Sequence, residues 1–134
     1  MFKNLIREVL FVGLGGMIGA LLRHGTNTLF ESTFGDTSFI TATTIENVAG
    51  SFLIGVIFTL LSRKDSQNRM LNLFLLTGMI GSYTTYSGFM VEAFILLNQS
   101  PLLFMGYLFS QVCIGLFAVV VGMKIVKPFT NSQE

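Results

Sequence analysis

Residues 81–88 read GSYTTYSG, six consecutive hydroxyl side chains from Ser82 to Ser87 held between Gly81 and Gly88. The flanks are apolar, LFLLTGMI before and FMVEAFILL after. A hydroxyl both donates and accepts hydrogen bonds, so such a cluster can meet an ion of either sign. One or two hydroxyls in an apolar helix bond back to their own backbone. Six between two weak helix formers predict a break near residues 81–88. A break frees carbonyls that can coordinate a cation such as Na⁺, and N–H groups that can face an anion. Tyr86 and Phe89 are three apart and share a helix face. Their ring edges are positive and can line an anion path without a full charge that would trap the ion.

The other polar groups at membrane depth are few. Asn47 carries amide donors and an acceptor, on a stripe with Thr43, Gly50, Ser51 and Ile54. Glu46 points about 100° away around the same helix, with Ala42, Ala49 and Gly50. A buried carboxylate there needs a partner or a proton. Glu92, Tyr107, Ser110 and Gln111 complete the set, and Arg23 and His24 stand near a membrane edge. Intramembrane polar residues are costly and mark pathways; at an edge, snorkelling explains Arg23 equally well.

The elements that must position these residues are hydrophobic spans. The 134-residue chain is 51% hydrophobic and 11% charged, with mean hydropathy +0.70. A soluble domain carries about a quarter charged residues, so this is an all-α membrane protein of one domain, residues 1–134. Four transmembrane helices are expected, at about residues 5–30, 39–62, 71–97 and 101–126. Pro101 suits a first helical turn. Small residues four apart, such as Gly15 and Gly19, Gly16 and Ala20, or Ser51 and Gly55, allow close helix contact in lipid. Gly50, Gly115 and Gly122 extend that pattern. Four helices make a thin bundle, so a polar path between subunits, and hence an oligomer, is expected.

Composition also excludes. No basic stripe for nucleic acid is present. Single Cys113 and single His24 form no disulfide or zinc site. No nucleophile–base pair or phosphate loop is visible, so the chain is not expected to be an enzyme. The start, MFKNLIREVLF, has no clean cleavage site and reads as mature sequence. Seven of the eight Lys and Arg residues (Lys3, Arg7, Arg63, Lys64, Arg69, Lys124 and Lys127) fall on the side that holds both termini, against Arg23. The basic side stays cytoplasmic, which predicts a multi-pass plasma-membrane protein with both termini inside.

Taken together these residues resemble the small four-helix fluoride channels, the CrcB or Fluc family, over nearly the whole chain. GGMIGALLRH is similar to the family's GG-x-x-GA-x-x-R, and TTIENVAGSFLIG to GTL-x-x-N-x-x-GSF-x-x-G. GMIGSYTTYSGFMVEAF is similar to G-x-x-GG-x-TTFSTF-x-x-E. The resemblance implies an antiparallel dimer whose two narrow pores pass fluoride passively out of the cytoplasm. It also implies a structural Na⁺ at the dimer centre, held by backbone carbonyls that match Gly81 and Thr84. The pore asparagine matches Asn47, the pore aromatics Tyr86 and Phe89, and the polar lining Thr85 and Ser87. Tyr107 matches a family tyrosine, and Arg23 a vestibule arginine.

Four features depart from the pattern. Tyr86 replaces a phenylalanine, Glu46 an aliphatic residue and Gln111 a serine. The Lys/Arg bias is the fourth, because a homodimer must insert both ways up. The bias points to a heterodimer with a homologous subunit of opposite topology; a homodimer that tolerates the bias is the alternative. Two other functions are open. One is a proton-coupled small multidrug antiporter, for which Glu46 and Glu92 offer carboxylates. The other is a non-conducting partner subunit of a channel.

Overall fold

Long apolar runs without an internal proline become helices α1 (Phe2–Phe34) and α2 (Ser38–Ser62) in a computed structural model of the chain. The structure describes residues 2–35, 38–62 and 69–130, with side chains in all of these but 38–41 and 128–130. Arg63 and Lys64, which entered the charge count, lie outside the described residues. At 33 residues α1 is about 50 Å long, well beyond the ~30 Å hydrocarbon core. It passes the expected end near residue 30 and stops before Gly35, whose φ of 73° is a left-handed stop.

The third span is composite. It begins as α3 (Arg69–Asn72), widens into a π-helical stretch (Leu73–Ile80), tightens again as α4 (Gly81–Tyr83), and resumes as α5 (Tyr86–Gln99). In the π-helical stretch the Gly81 N–H reaches back to the Leu76 carbonyl, five residues earlier. The break lies at Thr84 (φ −75°, ψ 154°) and Thr85 (φ −138°, ψ 122°), both extended. It is narrower than the expected 81–88. Gly81 stays helical (φ −61°, ψ −28°), so the break falls on the β-branched threonines rather than on the glycines. Ser100 then turns the chain. Its hydroxyl accepts from the Leu102 N–H at 3.2 Å, and Pro101 opens α6 (Pro101–Thr130) as expected.

Three helices, Phe2–Phe34, Ala42–Ser62 and Pro101–Lys127, are long and apolar enough to cross a membrane, and the broken one completes the four. α1 packs along the π-helical stretch, and α2 packs along α6. Both seams are made by glycine. A methyl group on Gly15 would strike the Phe74 carbonyl, one on Gly19 the Met79 carbonyl, and one on Gly78 the Val12 carbonyl. Across the second seam, Gly55 faces the Val119 carbonyl and Gly122 the Phe52 carbonyl. Gly13 and Gly16, by contrast, have nothing within 4 Å.

The glycine seams matter because the core is otherwise thin. The buried apolar side chains among the described residues are Ala42, Ile80, Ala93, Ala118 and Val126. Large apolar side chains such as Leu21, Leu102 and Phe109 are exposed, as lipid-facing or partner-facing surfaces are. At one end Arg69 donates to Glu8 at 3.0 Å and ties α3 to α1.

Gly19→Ala is therefore expected to lower stability by about 2 kcal/mol or more, because the obstacle is backbone and cannot rotate away. Gly13→Ala is expected to be neutral or slightly stabilising. Thermal unfolding of the two variants in detergent measures the difference.

Candidate functional site

Extended backbone at membrane depth leaves peptide groups without helical partners, and lipid offers none. Asn47 of α2 supplies them. Its Oδ1 accepts the Thr85 N–H at 2.9 Å, and its Nδ2 donates to the Thr85 carbonyl at 3.1 Å. The side-chain amide thus stands in for a neighbouring peptide and holds both polar groups of the broken residue. Next to it, Gly50 lets α2 close on the Thr84 side chain.

The break redirects donors that an unbroken helix would give to carbonyls four residues back. Thr85 N–H goes to Asn47 instead of Gly81, and Gly88 N–H goes to the Thr85 hydroxyl, at 3.1 Å, instead of Thr84. The Gly81 and Thr84 carbonyls therefore lose their helical donors. These are the two positions at which the family resemblance implies Na⁺. A pair of released carbonyls, with Gly81 exposed, fits a cation of that kind.

The remaining candidate residues separate into two groups. Arg23, Thr85 and Ser87 share a polar cleft of about 350 Å³, with Ala20, His24, Asn27, Thr43, Glu46 and Gly88 as its other walls. The hydroxyls of Thr85 and Ser87 are 3.3 Å apart. Tyr86, Phe89 and Tyr107 form an aromatic row instead. The Tyr86 and Phe89 rings are 6.1 Å apart and tilted by 57°; the Phe89 and Tyr107 rings are 5.4 Å apart and tilted by 40°. Tyr86 is 75% exposed, so the row ends on an open surface of the chain.

Behind the row Glu92 is buried, and both Tyr107 and Thr43 hydrogen-bond to it. The row and the cleft are thereby linked through Thr43, which lines the cleft. Gln111 donates to the Thr44 hydroxyl and, with Thr44, hydrogen-bonds Tyr107 at the end of the row.

Sequence reasoning missed one member of the cleft. Asn27 lies inside the expected first span but was not among the candidate site residues; α1 carries it four residues after Arg23. Its Nδ2 donates to the Arg23 carbonyl at 3.0 Å and to Glu46 Oε1 at 2.9 Å. The four-residue spacing, which puts it on the helix face of Arg23, was the available signal. Glu46 and Asn47, as their 100° offset requires, serve different neighbours: α1 for the first and the break for the second.

Glu8, the one carboxylate early in α1, is paired with Arg69 at the helix end and lies outside both groups. A family model described as CrcB-like protein, Camphor Resistance (CrcB), matches residues 10–123. A fluoride-specific ion channel FluC of Flavobacterium psychrophilum is 37% identical over 124 residues, covering 91% of this chain and 98% of the relative. FluC channels of Chloroflexus aurantiacus (35% identical, 92% of this chain, 98% of the relative) and Oceanobacillus iheyensis (34%, 90% and 92%) match alike. With its three long spans, its broken third helix and this near full-length match, the chain belongs to the CrcB-like family of membrane proteins.

Proposed function

We propose that this chain is a subunit of a passive, fluoride-selective channel that releases cytoplasmic fluoride. The observation that carries the reading is the helix break held by Asn47, with Thr85 and Ser87 in a polar cleft and Tyr86 and Phe89 in an aromatic row. Fluoride is small and strongly hydrated, so a pore must replace its water with donors and still release it. Ser87 and Thr85 hydroxyls and the ring edges of Phe89, Tyr86 and Tyr107 form a graded series of this kind. An amide nitrogen carries two hydrogens; Asn47 spends one on Thr85 and keeps one for the ion. Arg23 at the cleft concentrates anions at one mouth. Fluoride enters a cell as neutral HF, dissociates at cytoplasmic pH and leaves down its electrical gradient.

The path is completed by a second subunit. The aromatic row ends on exposed Tyr86, and the released carbonyl of Gly81 sits on exposed backbone. An antiparallel mate would cover both, and Na⁺ held by Gly81 and Thr84 carbonyls of each subunit would neutralise the carbonyl dipoles between them. The charge bias favours a homologous mate of opposite topology over a second copy, with both termini of this chain cytoplasmic.

Proteoliposomes holding this chain and its mate are expected to release fluoride electrogenically, without a pH gradient and without moving organic cations. Phe89→Leu is expected to lower that flux by about tenfold or more with little change in thermal stability, since it removes a ring edge and keeps most of the volume. Fluoride-selective electrode traces and melting curves check both. An organic-cation efflux driven by a pH gradient would overturn the channel reading.

Asn47→Ala strips both partners from the Thr85 peptide, at about 1–3 kcal/mol for each unsatisfied group. A fall in thermal midpoint together with loss of flux is expected, where Phe89→Leu shows loss of flux alone. For topology, a C-terminal tag on this chain expressed alone is expected to be protected in intact cells and reached only after permeabilisation. Labelling on both faces would return the assembly to a dual-topology homodimer.

A further inference from the structure

Glu46 exposes none of its surface, and its two carboxyl oxygens are treated differently. Oε1 accepts from Asn27 Nδ2 at 2.9 Å. Oε2 is buried and has no hydrogen-bond partner among the described residues. Yet the residue forms part of the wall of the polar cleft, between Arg23 and Ser87. A charged carboxylate with one oxygen orphaned in so dry a place costs several kcal/mol. It would also set a negative charge beside a path argued above to carry an anion.

The neighbouring charges do not remove that cost. From α1, Arg23 attracts the carboxyl without bonding to it, and His24 stands on the same cleft. From α5, Glu92 repels it. From α6, Tyr107 is committed to Glu92. Each of these leaves Oε2 bare. A proton on that oxygen removes the buried charge without adding volume, and leaves an O–H that can turn to the cleft.

We propose that Glu46 is a proton-binding site whose occupancy sets the charge of the anion vestibule. With Asn27 holding Oε1 as the carbonyl oxygen, the proton resides on Oε2. It is taken from water in the cleft and returned to it, with no other group changed. In the acid form the cleft keeps the net positive charge of Arg23, and anions enter. Loss of the proton places a carboxylate opposite Arg23, cancels its attraction and bars the anion. The site deepens the channel reading and rests on it. It also matches supply to exit, because acid conditions are those under which HF enters cells.

The test measures fluoride efflux from proteoliposomes of this chain with its mate, between about pH 5 and about pH 9, equal on both sides. The wild type is expected to lose about tenfold or more of its flux as pH rises, since a unit charge a few ångströms from the path at an intermediate dielectric acts on that scale. Glu46→Gln, which keeps size and a neutral donor, is expected to conduct in alkali at the rate that the wild type reaches only in acid. His24→Gln is expected to retain the fall. A flat wild-type profile, a fall that survives Glu46→Gln, or one that vanishes with His24→Gln overturns the proposal. Infrared spectra give a second readout that needs no transport. A protonated-carboxyl band is expected at neutral pH, lost in Glu46→Gln and kept in Glu92→Gln; its absence from the wild type also overturns the proposal. A normal band with no fluoride flux in any variant at any pH would instead sink the channel reading and leave the proton site standing.

Discussion

The bonds between the Asn47 amide and the Thr85 peptide are the constraint on which the rest depends. A helix interrupted in hydrocarbon exposes N–H and C=O groups, each costing several kcal/mol if nothing answers them. Asn47 answers the two of Thr85, the Thr85 hydroxyl answers Gly88, and the Thr84 hydroxyl bonds the Ile80 carbonyl at 3.0 Å. The donors of Thr85 and Gly88 thus go to side chains, and the carbonyls that a continuous helix would have paired with them are released.

The glycine seams make that arrangement rigid enough to matter. With Gly15 and Gly19 pressed on Phe74 and Met79, the π-helical stretch leading into the break is held against α1 by backbone contact. Gly55 and Gly122 hold α2 against α6 in the same way, and α2 carries Asn47. The clamp is thus mounted on one packed pair and the break on another. The two pairs meet where Gly50 packs on Thr84 and where Asn27 bonds Glu46.

Much of this was legible in the sequence, and the parts that were not share a cause. Apolar length gave the spans, and the run of hydroxyls gave the interruption, because both are local properties of composition. The width of the break was not legible. It depends on Asn47, 38 residues away from Thr85, and no local pattern says which peptide a remote amide will hold. The end of α1 was drawn too early because TNTLFESTF looks polar for a membrane helix. Thr26, Thr28 and Thr33 hydroxyls bond back to carbonyls of Leu22, His24 and Leu29, which hides their polarity and lets the helix continue. The same continuous helix presents Asn27 to Glu46. The separation of the cleft from the aromatic row was likewise hidden, since Tyr86 and Ser87 are adjacent in sequence and diverge only because α5 begins there.

The single chain also states what it lacks. Tyr86 and Gly81 are exposed on the same broken span that buries Ile80 and Glu92. Lipid can cover an aromatic ring but cannot bond a released carbonyl, and irregular backbone at membrane depth persists only under protein or beside a cavity. The cleft borders the break at Thr85, Ser87 and Gly88; the proposed mate would cover exposed Gly81 and Tyr86. Seen this way the departures from the family pattern are not equivalent. Gln111 is absorbed by Thr44 within the bundle and asks nothing of a partner. Tyr86 faces outward, so its added hydroxyl acts at the surface that a mate would cover. Glu46 faces the cleft of its own chain, and its effect on an ion is fixed before any mate arrives.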